Sequence, residues 1–256
     1  MSGFLVALLW KGTVTAAVIV AVARLAERLG PFLASIFMGL PVSIGPAMVL
    51  LALAQDDAFI ARSALYGFAN TATTLMFLVG YVALARRAGM WACLGGAYAV
   101  WLAGALLLGA LPLTLGWALA IVAAGFLAAQ LLMPRSAPGP VRARIAPWRY
   151  ILLRGALGGL VVGTVVSLAD LLGPVLSGLF VGFPVVFASA AWMLNAIRDN
   201  RFAAAVLSNA DRGMVSYAAF CLTVHALSGP LPALGAIGAG FAVSAVVSAG
   251  VALLRR

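Results

Sequence analysis

The sequence predicts an all-α, polytopic membrane protein with about nine transmembrane helices in a 4+1+4 inverted-topology repeat. Three observations predict this fold class. The composition is strongly apolar, the apolar segments have the length of membrane spans, and one long motif occurs twice in the chain.

The composition excludes an ordinary soluble domain. Hydrophobic residues make up 65% of the chain and charged residues 9%, with a mean hydropathy of +1.15, whereas soluble domains carry about 25% charged residues. The charges fall in short breaks between apolar stretches of about 20 residues, the length that crosses a hydrocarbon core of ~30 Å. We therefore predict nine spans, numbered in chain order, at 5–28, 32–54, 59–84, 90–110, 113–133, 150–171, 175–197, 203–227 and 232–254.

A segment rich in proline and arginine divides the chain after span 5. Residues 134–149 contain four prolines and four arginines, and proline removes backbone donors that a helix requires. We expect a cytoplasmic linker here. It separates a first repeat of four spans (1–112) and an additional span (113–133) from a second repeat of four spans (150–256).

The two repeats are related by sequence. The motif LGPFLASIFMGLPV at 29–42 returns 143 residues later as LGPVLSGLFVGFPV at 172–185, with eight of fourteen residues identical. The same offset aligns Asp56 with Asp199. Span 5 has no counterpart, so an odd number of spans precedes the second repeat. That repeat then enters the membrane from the opposite side, as in transporters built from inverted repeats.

The basic residues predict the orientation. Twelve of the sixteen lysines and arginines lie on the face that carries the loops after spans 1, 3, 5 and 7 and the C-terminus. By the positive-inside rule this face is cytoplasmic, which places the N-terminus outside the bacterial inner membrane and the C-terminus in the cytoplasm. The net charge of +10 is spread over these edges without a basic-aromatic module. We expect contacts with anionic lipid headgroups and no nucleic acid.

A Gly-x-Pro sequence occurs in the middle of two matched spans. It is formed by Gly39 and Pro41 in span 2 and by Gly182 and Pro184 in span 7. Proline removes a backbone donor and clashes with the preceding turn, so we expect both helices to kink or break. In a membrane, freed backbone groups are tolerated against protein or a water-filled cavity. The alternative is helix packing through small residues.

Two adjacent charges lie inside span 8. Asp211 and Arg212 come about nine positions into that span, or ~13 Å at ~1.5 Å per residue. At mid-membrane each charge costs at least ~2.5–3.5 kcal/mol and normally faces a bundle interior or a wet cavity. They are the leading site candidates. The alternative is that the helix begins near Arg212, which leaves both charges in a cytoplasmic loop.

Polar residues form two stripes on matched spans. The stripes consist of Tyr66, Asn70, Thr73 and Thr74 in span 3, and of Ser208, Arg212 and Ser216 in span 8, with Asn195 at the end of span 7. Their helical spacing places each set on one face. Facing each other across the repeat interface, the stripes would line a cavity. The alternative is that these side chains link neighbouring helices by hydrogen bonds.

Signatures of catalysis are missing from the sequence. It has no metalloprotease, serine-hydrolase or phosphate-loop motif. Six acidic residues leave little material for a catalytic metal site. We expect no enzyme activity, no metal and no cofactor.

The second repeat resembles the small four-helix bacterial membrane proteins of the GlpM-like family. Arg154 opens its first helix, and Gly178-Leu179 followed by Pro184 forms a Gly-Leu-x-x-x-x-Pro run in its second. The first repeat is similar but looser. The resemblance implies a fused pair of such units and a connection with envelope polysaccharide production. It implies no catalytic residue.

These features together predict a small secondary transporter or flippase of a small or lipid-linked solute. The solute would bind at the repeat interface near the bilayer midplane, in a cavity shaped by the broken spans. Arg212 would attract an anionic group and Asp211 would take up a coupling proton or cation. The alternative is a non-transporting scaffold or accessory subunit of an envelope polysaccharide or lipid machine. The small size is compatible with a homodimer.

Overall fold

The computed structural model describes residues 2–28, 41, 44–134 and 148–253, and these residues form an all-helical protein. Within those ranges there is no β-strand. The helices are α1 (Ser2–Arg28), α2 (Ile44–Ala52), α3 (Asp57–Leu84), α4 (Met90–Ala110), α5 (Leu115–Leu132), α6 (Trp148–Ser167), α7 (Ala169–Val181), α8 (Val185–Ile197), α9 (Asn200–Leu207), α10 (Asp211–Leu227) and α11 (Ala233–Leu253).

The predicted all-α membrane architecture is confirmed. Within the described ranges, seven segments are long and apolar enough to cross a membrane, and they correspond to predicted spans 1, 3, 4, 5, 6, 7 and 9. Spans 2 and 8 are not among them. The described part of span 2 is the nine-residue helix α2, and span 8 is divided between α9 and α10.

Helix α3 forms the centre of the bundle. It packs against α4, α5, α7 and α10. In its most apolar window 72% of the residues are buried, against 22% in α5. The difference separates a helix enclosed by protein from one that presents most of its surface outward. Polar side chains on α3 therefore face other helices and must find partners there.

Helices α1 and α6 cross in close backbone contact. A Cβ atom added to Gly155 would lie 3.1 Å from the carbonyl oxygen of Ala16, and one added to Gly163 would lie 2.9 Å from that of Leu8. Small residues allow this approach. Because the contacted residue number falls along α1 as it rises along α6, the two helices run antiparallel.

Helices α3 and α10 also run antiparallel. The His225 imidazole lies 2.8 Å from the carbonyl oxygen of Ala61. A turn or more further along α3, a Cβ on Gly67 would lie 3.5 Å from the sulfur of Cys221. These helices belong to spans 3 and 8, which the sequence duplication matches.

Polar contacts gather the loops of the arginine-rich face at one end of the bundle. The Tyr81 hydroxyl donates to Oδ1 of Asn200 (2.6 Å), and the Asn200 amide donates to the carbonyl of Ala88 (3.0 Å). The Arg24 guanidinium lies 3.6 Å from the centre of the Trp148 ring. The turns before α4 and α9 are thus neighbours, and the end of α1 contacts the start of α6.

The opposite end carries most of the described acidic side chains. The amide of Gln55 donates to Asp170 (2.7 Å), and the backbone N–H of Ala233 donates to Asp57 (2.8 Å). These bonds join the loop before α3 to the starts of α7 and α11. The predicted topology has the same loops together on the face opposite the arginines.

Two aspartates that the duplication aligns cap matched helices. Asp56 accepts a hydrogen bond from the backbone N–H of Phe59 at the start of α3, and Asp199 accepts one from that of Phe202 at the start of α9, both at 2.7 Å. Each carboxylate satisfies a backbone donor that the helix cannot. An aspartate therefore caps a helix N-terminus at each end of the bundle.

Span 8 differs from its prediction as one continuous helix over 203–227. Helix α9 ends at Leu207 and α10 begins at Asp211. In the intervening turn the Ser208 hydroxyl and the Asn209 amide both donate to the carbonyl of Ala205, at 2.9 and 3.2 Å. Side chains of this type compete with backbone hydrogen bonds and favour a helix end.

Candidate functional site

Span 7 breaks at its Gly-x-Pro sequence, as predicted. Helix α7 ends at Val181 and α8 begins at Val185. Pro184 has no N–H to donate, and the N–H of Phe183 turns to the carbonyl of Phe180 (3.0 Å) instead of reaching Leu179. The carbonyl of Leu179 thereby leaves the helical ladder and needs another donor.

Asn70 supplies that donor from the central helix α3. Its side-chain amide donates to the carbonyl of Leu179 (3.2 Å) and to the carbonyl of Gly182 (3.1 Å). The Thr73 hydroxyl bonds the backbone carbonyl of Asn70 at 2.9 Å and also its side-chain oxygen. Asn70 is fully buried, so one locked side chain satisfies two freed carbonyls.

Gly182 allows a second helix to reach the break. A Cβ atom at this position would lie 2.5 Å from the hydroxyl of Tyr217 on α10 and closer still to the amide nitrogen of Asn70. A larger residue could not fit without displacing one of them. The break in span 7 therefore lies between α3 and α10, the two helices on which polar stripes are predicted.

Aromatic rings enclose the arginine-rich side of the break. The ring of Phe183 stacks on Tyr98 (5.0 Å between centroids) and meets Trp101 edge to face at 5.0 Å. Phe77 contacts Tyr98 in turn, at 5.1 Å. Such pairs add to the stability that burial alone provides. The cluster joins the broken segment to α3 and α4.

Several buried polar groups around the break have no hydrogen-bond partner among the described residues. They are Thr71 Oγ1 on α3, Trp101 Nε1 on α4 and Ser177 Oγ on α7. Groups of this kind are rare in folded proteins. Helices α3 and α7 also contribute hydrogen bonds at the break itself.

The predicted stripe on span 3 serves mainly to join helices. Tyr66 donates to the carbonyl of Leu111 (2.7 Å), which fixes the loop between α4 and α5. Asn70 and Thr73 bond at the break as described, and Thr74 is buried. Asn70, Thr73 and Gly182 are thus the predicted site residues that direct contacts bring together.

The residues predicted on span 8 do not meet at one site. Ser216 accepts a hydrogen bond from Ser248 on α11 (2.8 Å) and so faces away from the break. Asp211 is buried at the first position of α10, where the helix N-terminus favours a carboxylate. Arg212 is exposed. The predicted alternative places the helix start near Arg212 and both charges in a loop; α10 does begin at Asp211, but both residues belong to the helix and α9 precedes them.

The remaining candidates lie at the edges of the site. Asn195 is partly exposed near the end of α8, and Pro184 lies between α7 and α8. Pro41 is buried, and its carbonyl accepts the N–H of Gly45 (2.8 Å) as α2 begins. Gly39 lies outside the described residues.

Sequence reasoning missed Tyr217, Tyr98 and Trp101. Their signal was present but weak. Tyr217 follows Ser216 and so points about 100° away from the predicted stripe, and Tyr98 and Trp101 are spaced as one helical face of span 4. An aromatic face is more often ordinary packing than a site.

Comparisons of the chain with protein-family models, with characterised proteins and with solved structures give no match.

Proposed function

We propose that this protein is a small secondary transporter or flippase in the bacterial inner membrane. It would move a small or lipid-linked solute past the break in span 7. The observation that carries the proposal is a broken helix in the protein interior, whose freed carbonyls are held by one asparagine of the central helix. Discontinuous helices of this kind form substrate and ion sites in many transporters.

The proposed architecture is a 4+1+4 inverted repeat of nine spans, with the N-terminus outside and the C-terminus in the cytoplasm. The antiparallel contacts of α1 with α6 and of α3 with α10 support it, since each pair is matched by the duplication. The contacts are also reciprocal. Gly12 meets Gly159 and Ala16 meets Gly155, and the 143-residue offset exchanges these two pairs. A two-fold interface has this property.

In the proposed mechanism the described arrangement is a closed state. Rocking of one repeat against the other would draw Asn70 away from the carbonyls of Leu179 and Gly182. Those oxygens would then bind a coupling cation or a donor group of the solute. Asp211 would take up a proton or cation, and Arg212 would attract an anionic group on the exposed side.

From the resemblance of the second repeat to GlpM-like proteins, we propose that the activity serves the production of envelope polysaccharide. On this proposal the protein is not an enzyme and holds no cofactor. Its partners are membrane lipids, the solute and a second copy of the chain. The unmatched span 5 would supply part of the outer surface.

A second candidate is a non-transporting scaffold or accessory subunit of an envelope machine. The observation that favours it is the tight packing of α7. A Cβ on Gly178 would lie 2.9 Å from backbone atoms of Ser63 on α3, which leaves no passage between those helices. A permanently closed interface would suit a scaffold.

Reactivity of the natural cysteines separates these candidates without knowledge of the solute. Cys221 is buried in α10, one turn from Tyr217, and Cys93 is the second free cysteine. In proteoliposomes carrying Cys93→Ala, alternating access exposes Cys221 transiently, so a thiol reagent labels it faster than the protein unfolds. Asn70→Ala should accelerate labelling, because it releases the break.

A scaffold gives a different result. Labelling of Cys221 would then match the rate of global unfolding in both the parent and Asn70→Ala proteins, and the transport proposal would be abandoned. Transport itself is tested by solute uptake into the same liposomes. Asp211→Asn and Arg212→Gln should reduce uptake, and unchanged uptake in both would remove these residues from the mechanism.

A further inference from the structure

We propose that a recess at the arginine-rich end binds the phosphoryl group of an organic phosphate ester. The recess has a volume of about 530 Å³ and lies between the end of α3 and the start of α9. Small-molecule sites commonly measure ~300–1,000 Å³. The inference goes beyond the proposed function, since binding here does not require that any solute cross the membrane.

Three guanidinium groups line the recess. Arg86 comes from the turn between α3 and α4, Arg198 from the turn between α8 and α9, and Arg201 from the first turn of α9. Two separate segments therefore converge on one space. The hydrogen bonds of Asn200 with Ala88 and Tyr81 hold these two segments together. They fix the backbone positions from which the arginine side chains enter the recess.

One carboxylate shares the recess but is already engaged. Asp199 accepts the N–H of Phe202 as a helix cap (2.7 Å), and its other oxygen lies 3.8 Å from Nε of Arg198. Among the described residues no carboxylate pairs with Arg86 or Arg201. Three positive charges and one negative charge leave the lining at +2.

The charge and shape favour a phosphate monoester. A phosphoryl group of this type carries about −1.5 to −2 at neutral pH and presents three acceptor oxygens. One guanidinium group can donate two parallel hydrogen bonds to two such oxygens. A single carboxylate would neutralise only part of the charge and has only two oxygens to share among the arginines.

The remaining wall of the recess is apolar. Val82, Phe202, Ala204 and Ala205 contribute to it. Bare inorganic phosphate would leave this surface without a partner. An ester with an apolar chain would place its phosphoryl group at the arginines and its chain along this wall. Both a lipid headgroup and a soluble ester have that chemistry.

Binding of octyl phosphate to the purified full-length protein tests the inference. We expect octyl phosphate to bind more tightly than inorganic phosphate. Arg201→Gln and Arg86→Gln should each weaken its binding roughly tenfold or more, because each removes a charge-assisted hydrogen bond. The matched control is Arg87→Gln, which removes the same charge from an exposed position next to Arg86 and outside the recess.

The control decides the outcome. If Arg87→Gln weakens binding as much as Arg201→Gln, the attraction is diffuse and the site does not exist. Absence of octyl phosphate binding also overturns the inference. The lining arginines are exposed, so the variants should keep the thermal stability of the parent protein, and this is measured alongside.

Nanodiscs distinguish the two sources of the phosphoryl group. Protein is inserted into phosphatidylcholine alone or with phosphatidic acid, and octyl phosphate is titrated. Loss of octyl phosphate binding in phosphatidic acid, with recovery in phosphatidylcholine, assigns the site to a lipid headgroup. Equal binding in both membranes assigns it to a soluble ester.

Discussion

Replacement of Asn70 by alanine should destabilise the protein by removing both hydrogen bonds that hold the break in span 7. The Asn70 amide reaches the carbonyls of Leu179 (3.2 Å) and Gly182 (3.1 Å). Hydrogen bonds between membrane helices contribute ~0.6 kcal/mol on average and up to ~1.7 kcal/mol. Two of them give an expected loss of roughly 1–3.5 kcal/mol in the free energy of unfolding.

A natural cysteine provides the assay. Cys93 is buried and free, so in a Cys221→Ala background, where labelling of Cys221 during alternating access does not contribute, a thiol-reactive fluorescent dye reports thermal unfolding in detergent. The matched control is Asn209→Ala. The Asn209 amide donates to the carbonyl of Ala205 in its own turn (3.2 Å) and joins no other helix among the described residues, so the loss on its replacement should be clearly smaller.

Asn70→Asp sharpens the test. The substitution keeps the shape of the side chain but replaces the donating amide by an oxygen. The carbonyl oxygens of Leu179 and Gly182 then face another acceptor instead of a donor. Its destabilisation should equal or exceed that of Asn70→Ala. If both Asn70 variants melt at the wild-type temperature, the reasoning that this side chain satisfies the carbonyls of the broken helix is refuted.

Two further predictions concern stability and use the same dye assay. Gly178→Ala should cost about 1–3 kcal/mol by overpacking, because its Cβ would lie 2.9 Å from backbone atoms of Ser63. Gly238→Ala, whose Cβ would meet no described residue within 4 Å, should be neutral or slightly stabilising, and equal effects of the two substitutions would contradict the packing argument. Asp56→Ala should cost about 1 kcal/mol because it removes the cap of α3. Unchanged melting would mean that solvent replaces this cap at no cost.

The break in span 7 could be predicted from the sequence because its cause is local. Pro184 lacks a donor wherever it lies, so the loss of the helical ladder follows from the residue itself. The partner could not be predicted in the same way. Asn70 was placed on the correct helical face, but the carbonyls that it bonds lie more than 100 residues away in the chain.

The polar residues of span 8 show the limit of helical periodicity. A stripe predicts which side chains share a face, but not which neighbour that face meets. Ser216 meets Ser248 on α11, and Tyr217, one position on, meets the break. The interruption of this span was missed because it arises from competing side-chain bonds of Ser208 and Asn209 and involves no proline.

The backbone crossing of α1 and α6 has a consequence for how the protein is made. Helix α1 is synthesised before α6, yet its face that packs against the glycines of α6 is covered only after synthesis has reached Ser167. During synthesis of the intervening chain that face must meet lipid or an insertase. The amino-terminal half can therefore finish packing only after the carboxy-terminal half has been inserted into the membrane.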